Sequence, residues 1–140
     1  AYEFVEAVAM RLVQWPSSYD VLITSNLFGD ILTDEASVIS GSMGLMPSAS
    51  IGSENALYEP IHGSYPEATG KKIANPIASI LSLSMMLDHS FNLEDESKII
   101  NRAVEDSLVN KFTTPDLNKD NKAYTTDEVG DYIVNFIKNS

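Results

Sequence analysis

Apolar residues in the first fifteen positions recur on a helical period. Phe4, Val5, Val8, Met10, Leu12, Val13 and Trp15 cover much of the girth of a helix, which Pro16 ends. The polar "SSYD" reads as a turn, and the β-branched run Val21–Ser25, "VLITS", as a short buried strand. Asn26 is placed to cap a helix running from Leu27 to about Ile39, which the Gly41–Gly44 region closes. Helix, strand and helix in that order predict α/β layering.

The pattern then loosens. "GSMGLMPSASIGSENALYEPI" reads as a connection rich in Gly, Ser and Pro that leads into one or two short strands, and His62–Pro76 as a long polar loop. Pro76 can occupy the first turn of the next helix, where its missing N–H costs little. That helix, "PIASILSLSMMLDHSF", is dense enough in Ile, Leu and Met to predict near-complete burial. Asn92 or Asp95 can start another, with Ile99, Ile100, Ala103, Val104 and Leu108 forming one apolar stripe. A polar loop, "TTPDLNKDNKAY", precedes a last helix for which Thr125 or Thr126 is the N-cap and early acids suit the dipole.

Composition narrows the class. The 140 residues suffice for one ordinary domain, and 44% hydrophobic content can furnish a core. A net charge of −11 argues against a nucleic-acid or anionic-membrane surface. Zero cysteines exclude disulfides, thiolate zinc sites and cysteine nucleophiles from these residues. No apolar run approaches the roughly 18 residues needed to span a bilayer, and there is no basic-then-apolar leader, so a reduced, cytoplasmic setting is the expectation. The opening "AYEFVEAVAMRLVQW" is helical from its first residues, with neither an initiator Met nor a cap, and this predicts a fragment of a longer protein.

Two constellations carry chemistry. Asp30 and Asp34 lie four apart on the second helix, so both carboxylates share one face, where like charges destabilise a helix by about 0.2–0.5 kcal/mol. Either they form a solvated polar stripe, or they present hard oxygen ligands to Mg²⁺ or Mn²⁺. Gly29 beside them costs a helix roughly 1 kcal/mol relative to Ala. Such a cost suits a position that a ligand or another helix approaches closely. The second constellation is "HGSYPEATGKKIAN", whose glycines and exposed N–H groups can approach a phosphate and whose acid can accept bonds from ribose hydroxyls. Ordinary turn residues in a surface loop would look the same, and there is no GxGxxG or P-loop. His89, near the end of an apolar helix, reads as a residue facing the last carbonyls.

"DVLITSNLFGDILTDEASVISGSMGLMPSASIG", "LYEPIHGS" and "IANPIASILSLSMML", in this order, resemble the β-decarboxylating dehydrogenases of the isocitrate/isopropylmalate dehydrogenase family. The resemblance runs from about Phe4 to the end of the chain and covers only the C-terminal part of a family member. It implies an α/β, three-layer fold of that type, present in part, with residues 1–42 in the central dimerisation and substrate domain and 43–140 in the cofactor domain. It implies NAD-dependent oxidative decarboxylation of a 2-hydroxy dicarboxylic acid, closest to the isopropylmalate-oxidising members of leucine biosynthesis. Isocitrate, homoisocitrate or tartrate oxidation, or a non-catalytic dimerising fragment, are the alternatives.

By this resemblance Asp30 and Asp34 ligate Mg²⁺ or Mn²⁺ in a site shared across a homodimer. Glu6, in "FVEAVAM", stands where the family has Asp in a helix that supplies a third acid to the neighbouring subunit. Glu is longer by about 1.5 Å, in a kind of site where about 1 Å of misplacement can cost about 10²-fold in rate. His62, Gly63, Ser64, Tyr65, Pro66, Glu67, Gly70 and Asn75 are carried over as contacts to the adenosine half of NAD. Family members using NAD have an acid where Glu67 sits, whereas NADP-using isocitrate dehydrogenases place Lys there. Tyr65 replaces the usual Ala. The family's substrate-binding arginines and its catalytic tyrosine and lysine lie upstream of the part matched here, so these residues alone should not turn over. The helix from Leu27 to Ile39 matches one that packs on its mate in the family dimer, and alone it should expose apolar surface.

Overall fold

The computed structural model describes residues 1–118 and 122–140; part of the expected loop before the last helix, residues 119–121, lies outside the described residues. Five helices and one hairpin follow in the order α1 (Val5–Gln14), α2 (Asn26–Ser40), β1 (Pro47–Ile51), β2 (Ala56–Pro60), α3 (Ile77–Phe91), α4 (Glu94–Val109) and α5 (Thr126–Lys138). Strands β1 and β2 pair antiparallel, with Ala49 opposite Tyr58, and the Gly52 N–H donates to the Asn55 carbonyl at 2.9 Å in the turn. The hairpin lies against α3, α3 packs on α4, and α4 on α5.

Two cores form, without a shared buried residue. Val8 and Leu12 of α1 meet Leu32 of α2, with Val5, Ala9 and Tyr19 around them. Ile77 of α3, Ala103 and Val104 of α4, and Val129 and Ile133 of α5 make the other. The stripe expected on α4 is present at Ile100, Ala103 and Val104, while Ile99 is half-buried and Leu108 reaches solvent.

Several sequence expectations need correction. Residues 21–25 are not a buried strand: Val21 is 76% and Ile23 96% exposed, and no described residue pairs with them. A strand exists through ladder bonds to a neighbour, and an apolar run lacking one stays irregular. Asn26 is not the cap of α2 but its first residue, and its side-chain amide donates to Asp30 Oδ2 at 3.0 Å. Neither Asn92 nor Asp95 caps α4. Asn92 ends α3 in the left-handed region at φ 53°, and Glu94, Asp95 and Glu96 fill the first turn of α4. Helix α3 is not wholly buried either. Ile77, Ala78, Ser82 and Ser84 face inward, while Leu83 and Phe91 are exposed. Small residues on the inner side let α4 approach, and the Ser84 hydroxyl meets the Ser97 hydroxyl at 2.8 Å and Asn101 Oδ1 at 3.0 Å.

At the last helix the expected cap is present. Thr125 and Glu128 form a reciprocal capping box, with the Thr125 N–H donating to Glu128 Oε2 at 2.8 Å and the Glu128 N–H to Thr125 Oγ1 at 3.3 Å. Those bonds from Thr125, backbone then side chain, hold the Glu128 carboxyl below the usual range.

Candidate functional site

Helix α2 turns Leu32 inward and leaves Asp30 and Asp34 on its water-facing side, together with Leu27, Ile31 and Val38. Asp30 and Asp34 are therefore accessible, and Asn26 already orients the first. Thr33 and Ser37 turn their hydroxyls back onto the helix, onto the carbonyls of Gly29 at 2.9 Å and Asp34 at 2.6 Å. At Gly29 a Cβ would stand 3.1 Å from Thr24 Cγ2, so within the chain the close approach is by the segment just before α2.

Glu6 projects from α1 into a cleft of about 290 Å³ shared with Ile23, Phe28 and Leu32. Among the described residues no three His, Cys, Asp or Glu side chains gather as a metal would require. One chain thus brings Asp30 and Asp34 to a common face and does not add Glu6 to them. Two carboxylates nevertheless suit Mg²⁺, which ordinarily takes one or two from protein and completes an octahedron with substrate and water oxygens.

The loop after β2 begins where the Ile61 N–H donates to the Met46 carbonyl at 3.1 Å. His62 Nδ1 lies 3.0 Å from its neighbour's Gly63 carbonyl, and Ser64 is exposed. Tyr65 is 61% exposed, which accounts for tolerance of a large side chain there. Pro66–Ala68 makes one 3₁₀ turn with Glu67 outward and Ala68 buried beneath it. Beyond its two chain neighbours, no described atom lies within 4 Å of where a Gly63 Cβ would be, so packing within the chain does not call for glycine there; Gly70, at φ +75°, holds a backbone conformation that favours glycine.

Asn75 has a structural task. Its Oδ1 accepts from the Ile77 N–H at 3.0 Å, starting α3, and its Nδ2 donates to Asp116 Oδ2 at 3.0 Å. Asp116 also accepts from the Ser42 hydroxyl in a short bond and from Thr114 Oγ1 at 2.5 Å. Burial opposes ionisation of this carboxyl, yet the bonds from Ser42, Thr114 and Asn75 outweigh it and hold the group below the ordinary aspartate range. The sequence does not single out Thr114 and Asp116, because "TTPDLN" looks like any polar loop, nor Ser42, one serine in a connection rich in Gly and Ser. The signal available was Thr-x-Asp spacing, a local side-chain bond of the kind that fixes turns.

The wider comparisons agree on what such an arrangement belongs to. The profile of the family "Isocitrate/isopropylmalate dehydrogenase" matches residues 1–133. The 3-isopropylmalate dehydrogenase of Aquifex aeolicus is 54% identical over 114 residues, 81% of this chain and 31% of that protein. The homoisocitrate dehydrogenase of Methanocaldococcus jannaschii is 49% identical over 134 residues, 96% of this chain and 38% of that one. Isocitrate dehydrogenase from Methylococcus capsulatus superposes with a TM-score of 0.91 at 41% identity, over 97% of this chain and 40% of that structure. The chain belongs to the isocitrate/isopropylmalate dehydrogenase family and has part of its α/β fold. It spans between about a third and two-fifths of the length of these relatives. No described helix is long and apolar enough to cross a membrane.

Proposed function

We propose that this chain is the C-terminal part of an NAD-dependent dehydrogenase that converts 3-isopropylmalate to 4-methyl-2-oxopentanoate, with release of CO₂ and reduction of NAD. The observation that carries the reading is the placement of Asp30 and Asp34 on one accessible side of α2, in a chain 54% identical over 114 residues to a 3-isopropylmalate dehydrogenase. Asp30 and Asp34 would hold Mg²⁺ or Mn²⁺, which when bound polarises the substrate's hydroxyl and steadies charge left by decarboxylation. Glu6 would serve the neighbouring subunit of a homodimer, in keeping with its separation from the two aspartates. Residues from His62 to Asn75 would clasp the adenosine. Glu67 would accept from ribose hydroxyls and repel an added 2′-phosphate, which selects NAD over NADP.

Two further lines support this assembly. The separate cores are what a division near residues 42 and 43 into substrate and cofactor domains would produce. The accessible surface, 9570 Å², also exceeds the about 7,100 Å² of a compact monomer of 15.3 kDa. Leu27, Phe28, Ile31, Val38 and Ile39 lie in that excess, available to a second subunit and to the remainder of a longer protein. The M. jannaschii relative supports homoisocitrate as a second substrate reading.

Rates of the complete enzyme with each hydroxy acid, NAD and Mn²⁺ distinguish the substrates. Asp30→Asn should abolish most turnover there, by at least about 10²-fold, as expected when a positioned ligand is lost. Wild-type rates in that variant would remove the metal assignment.

A further inference from the structure

The far end of the loop that follows β2 is fastened by an element the sequence treats as remote. The Thr126 N–H, in the first turn of α5, donates to the Lys72 carbonyl at 2.9 Å, and Thr126 Oγ1 donates to the Ala74 carbonyl at 2.6 Å. Thr126 is itself held in place by the Thr125–Glu128 capping box. Lys72 sits in the left-handed region at φ 54°, uncomfortable for a residue with a Cβ, and Gly70 just before it is at φ 75°. Lys72 Nζ also reaches Asp127 Oδ2 at 2.5 Å, but both side chains are more than half exposed, so that ion pair adds little.

A strained residue persists only where its surroundings fix it. Here the two Thr126 bonds grip the carbonyls on either side of Ile73. Nearer the middle of the loop the backbone bonds are local turns: Ala68 N–H to Tyr65, Thr69 to Pro66 and Lys71 to Ala68. The Lys72–Ala74 segment is thus a long-range anchor for the part of the loop that presents Glu67 and Gly70, beside the burial of Ala68.

We propose that Thr126 is a positioning residue for dinucleotide binding: its hydroxyl and N–H latch the foot of the His62–Asn75 loop and pre-form the adenosine cradle without touching the cofactor. This rests on the assignment of that loop to NAD. Releasing the latch lets Lys72 relax toward negative φ, and the cofactor must then reorder the loop as it binds.

The test uses the complete enzyme with Thr126→Val, which removes the hydroxyl, and Thr126→Ser, which keeps it. Losing one neutral hydrogen bond should raise the KM for NAD by about 3- to 10-fold, with kcat and the hydroxy-acid KM unchanged. Thr126→Ser should restore the wild-type value, and amide exchange over residues 69–75 of the free enzyme should quicken only in Thr126→Val. Thr126→Ala, a good helix former, carries the same expectation should valine impair folding. An unchanged KM for NAD, or a loss shared equally by kcat, overturns the latch. If the unsubstituted enzyme shows no saturable NAD binding, the cofactor assignment falls and the latch's function with it. In that case the exchange rates still report whether Thr126 holds the loop.

Discussion

Asp116 offers the sharpest test of how the His62–Asn75 loop is attached to the rest of the molecule. Its carboxylate accepts from Ser42, ahead of the hairpin, from Asn75 at the start of α3, and from Thr114 in its own loop. Asp116→Ala removes the common acceptor and leaves those donors facing a small void. Hydrogen bonds to a charged group contribute about 1.5–3 kcal/mol each when water is excluded. Asp116 is only about half buried, so solvent rescues much of that, and a total of about 2–3 kcal/mol follows after screening. This is a 30- to 150-fold change in the folding equilibrium. Urea unfolding of wild type and variant, with the slope held in common, measures it. The pH dependence gives a second check. The folded carboxyl titrates below its unfolded value, so its contribution is fully present above about pH 4 and lost as pH falls through the lowered folded value. A variant within about 0.5 kcal/mol of wild type at pH 7 would refute the hub, because it would place Asp116 among ordinary surface acids.

Gly44→Ala should destabilise by about 1–3 kcal/mol, as overpacking does, because the new Cβ would fall 2.5 Å from Asn75 Cβ; a thermal melt reads this. Glu67→Lys in the complete enzyme should lower the NADP to NAD ratio of KM values by at least about tenfold, since it exchanges repulsion of a 2′-phosphate for attraction. An unchanged ratio would detach Glu67 from cofactor choice.

What the sequence made legible follows from where its information is local. Periodicity placed α1, α2, α4 and α5 within a residue or two, because each carries recurring apolar positions, and the first two also have a recognisable stop: Pro16 after α1, Gly41 at φ 95° after α2. The Thr125 cap was readable since its partner Glu128 is three residues on. The strand expected at 21–25 failed for the opposite reason, as strand character needs a neighbour that no described residue supplies. Likewise, the density of Leu and Met in α3 predicted a burial that depends on which elements surround it. Among the candidate site residues, spacing foresaw that Asp30 and Asp34 share a face. It could not foresee that Asn75 is engaged by Asp116, or that Thr126 reaches Ala74 across 52 positions. Such bonds join distant parts of the chain and leave no local trace.

The absence of a common buried residue between the two cores bears on how this protein can change. Energetic effects at well-separated positions simply sum. A replacement at Leu32 is not felt in the packing at Val129, and drift in one body needs no compensating change in the other. Replacements inside either core can therefore accumulate separately, whereas changes at Ser42, Asn75 or Asp116, whose bonds tie the end of α2 to the loop before α3, are felt on both sides.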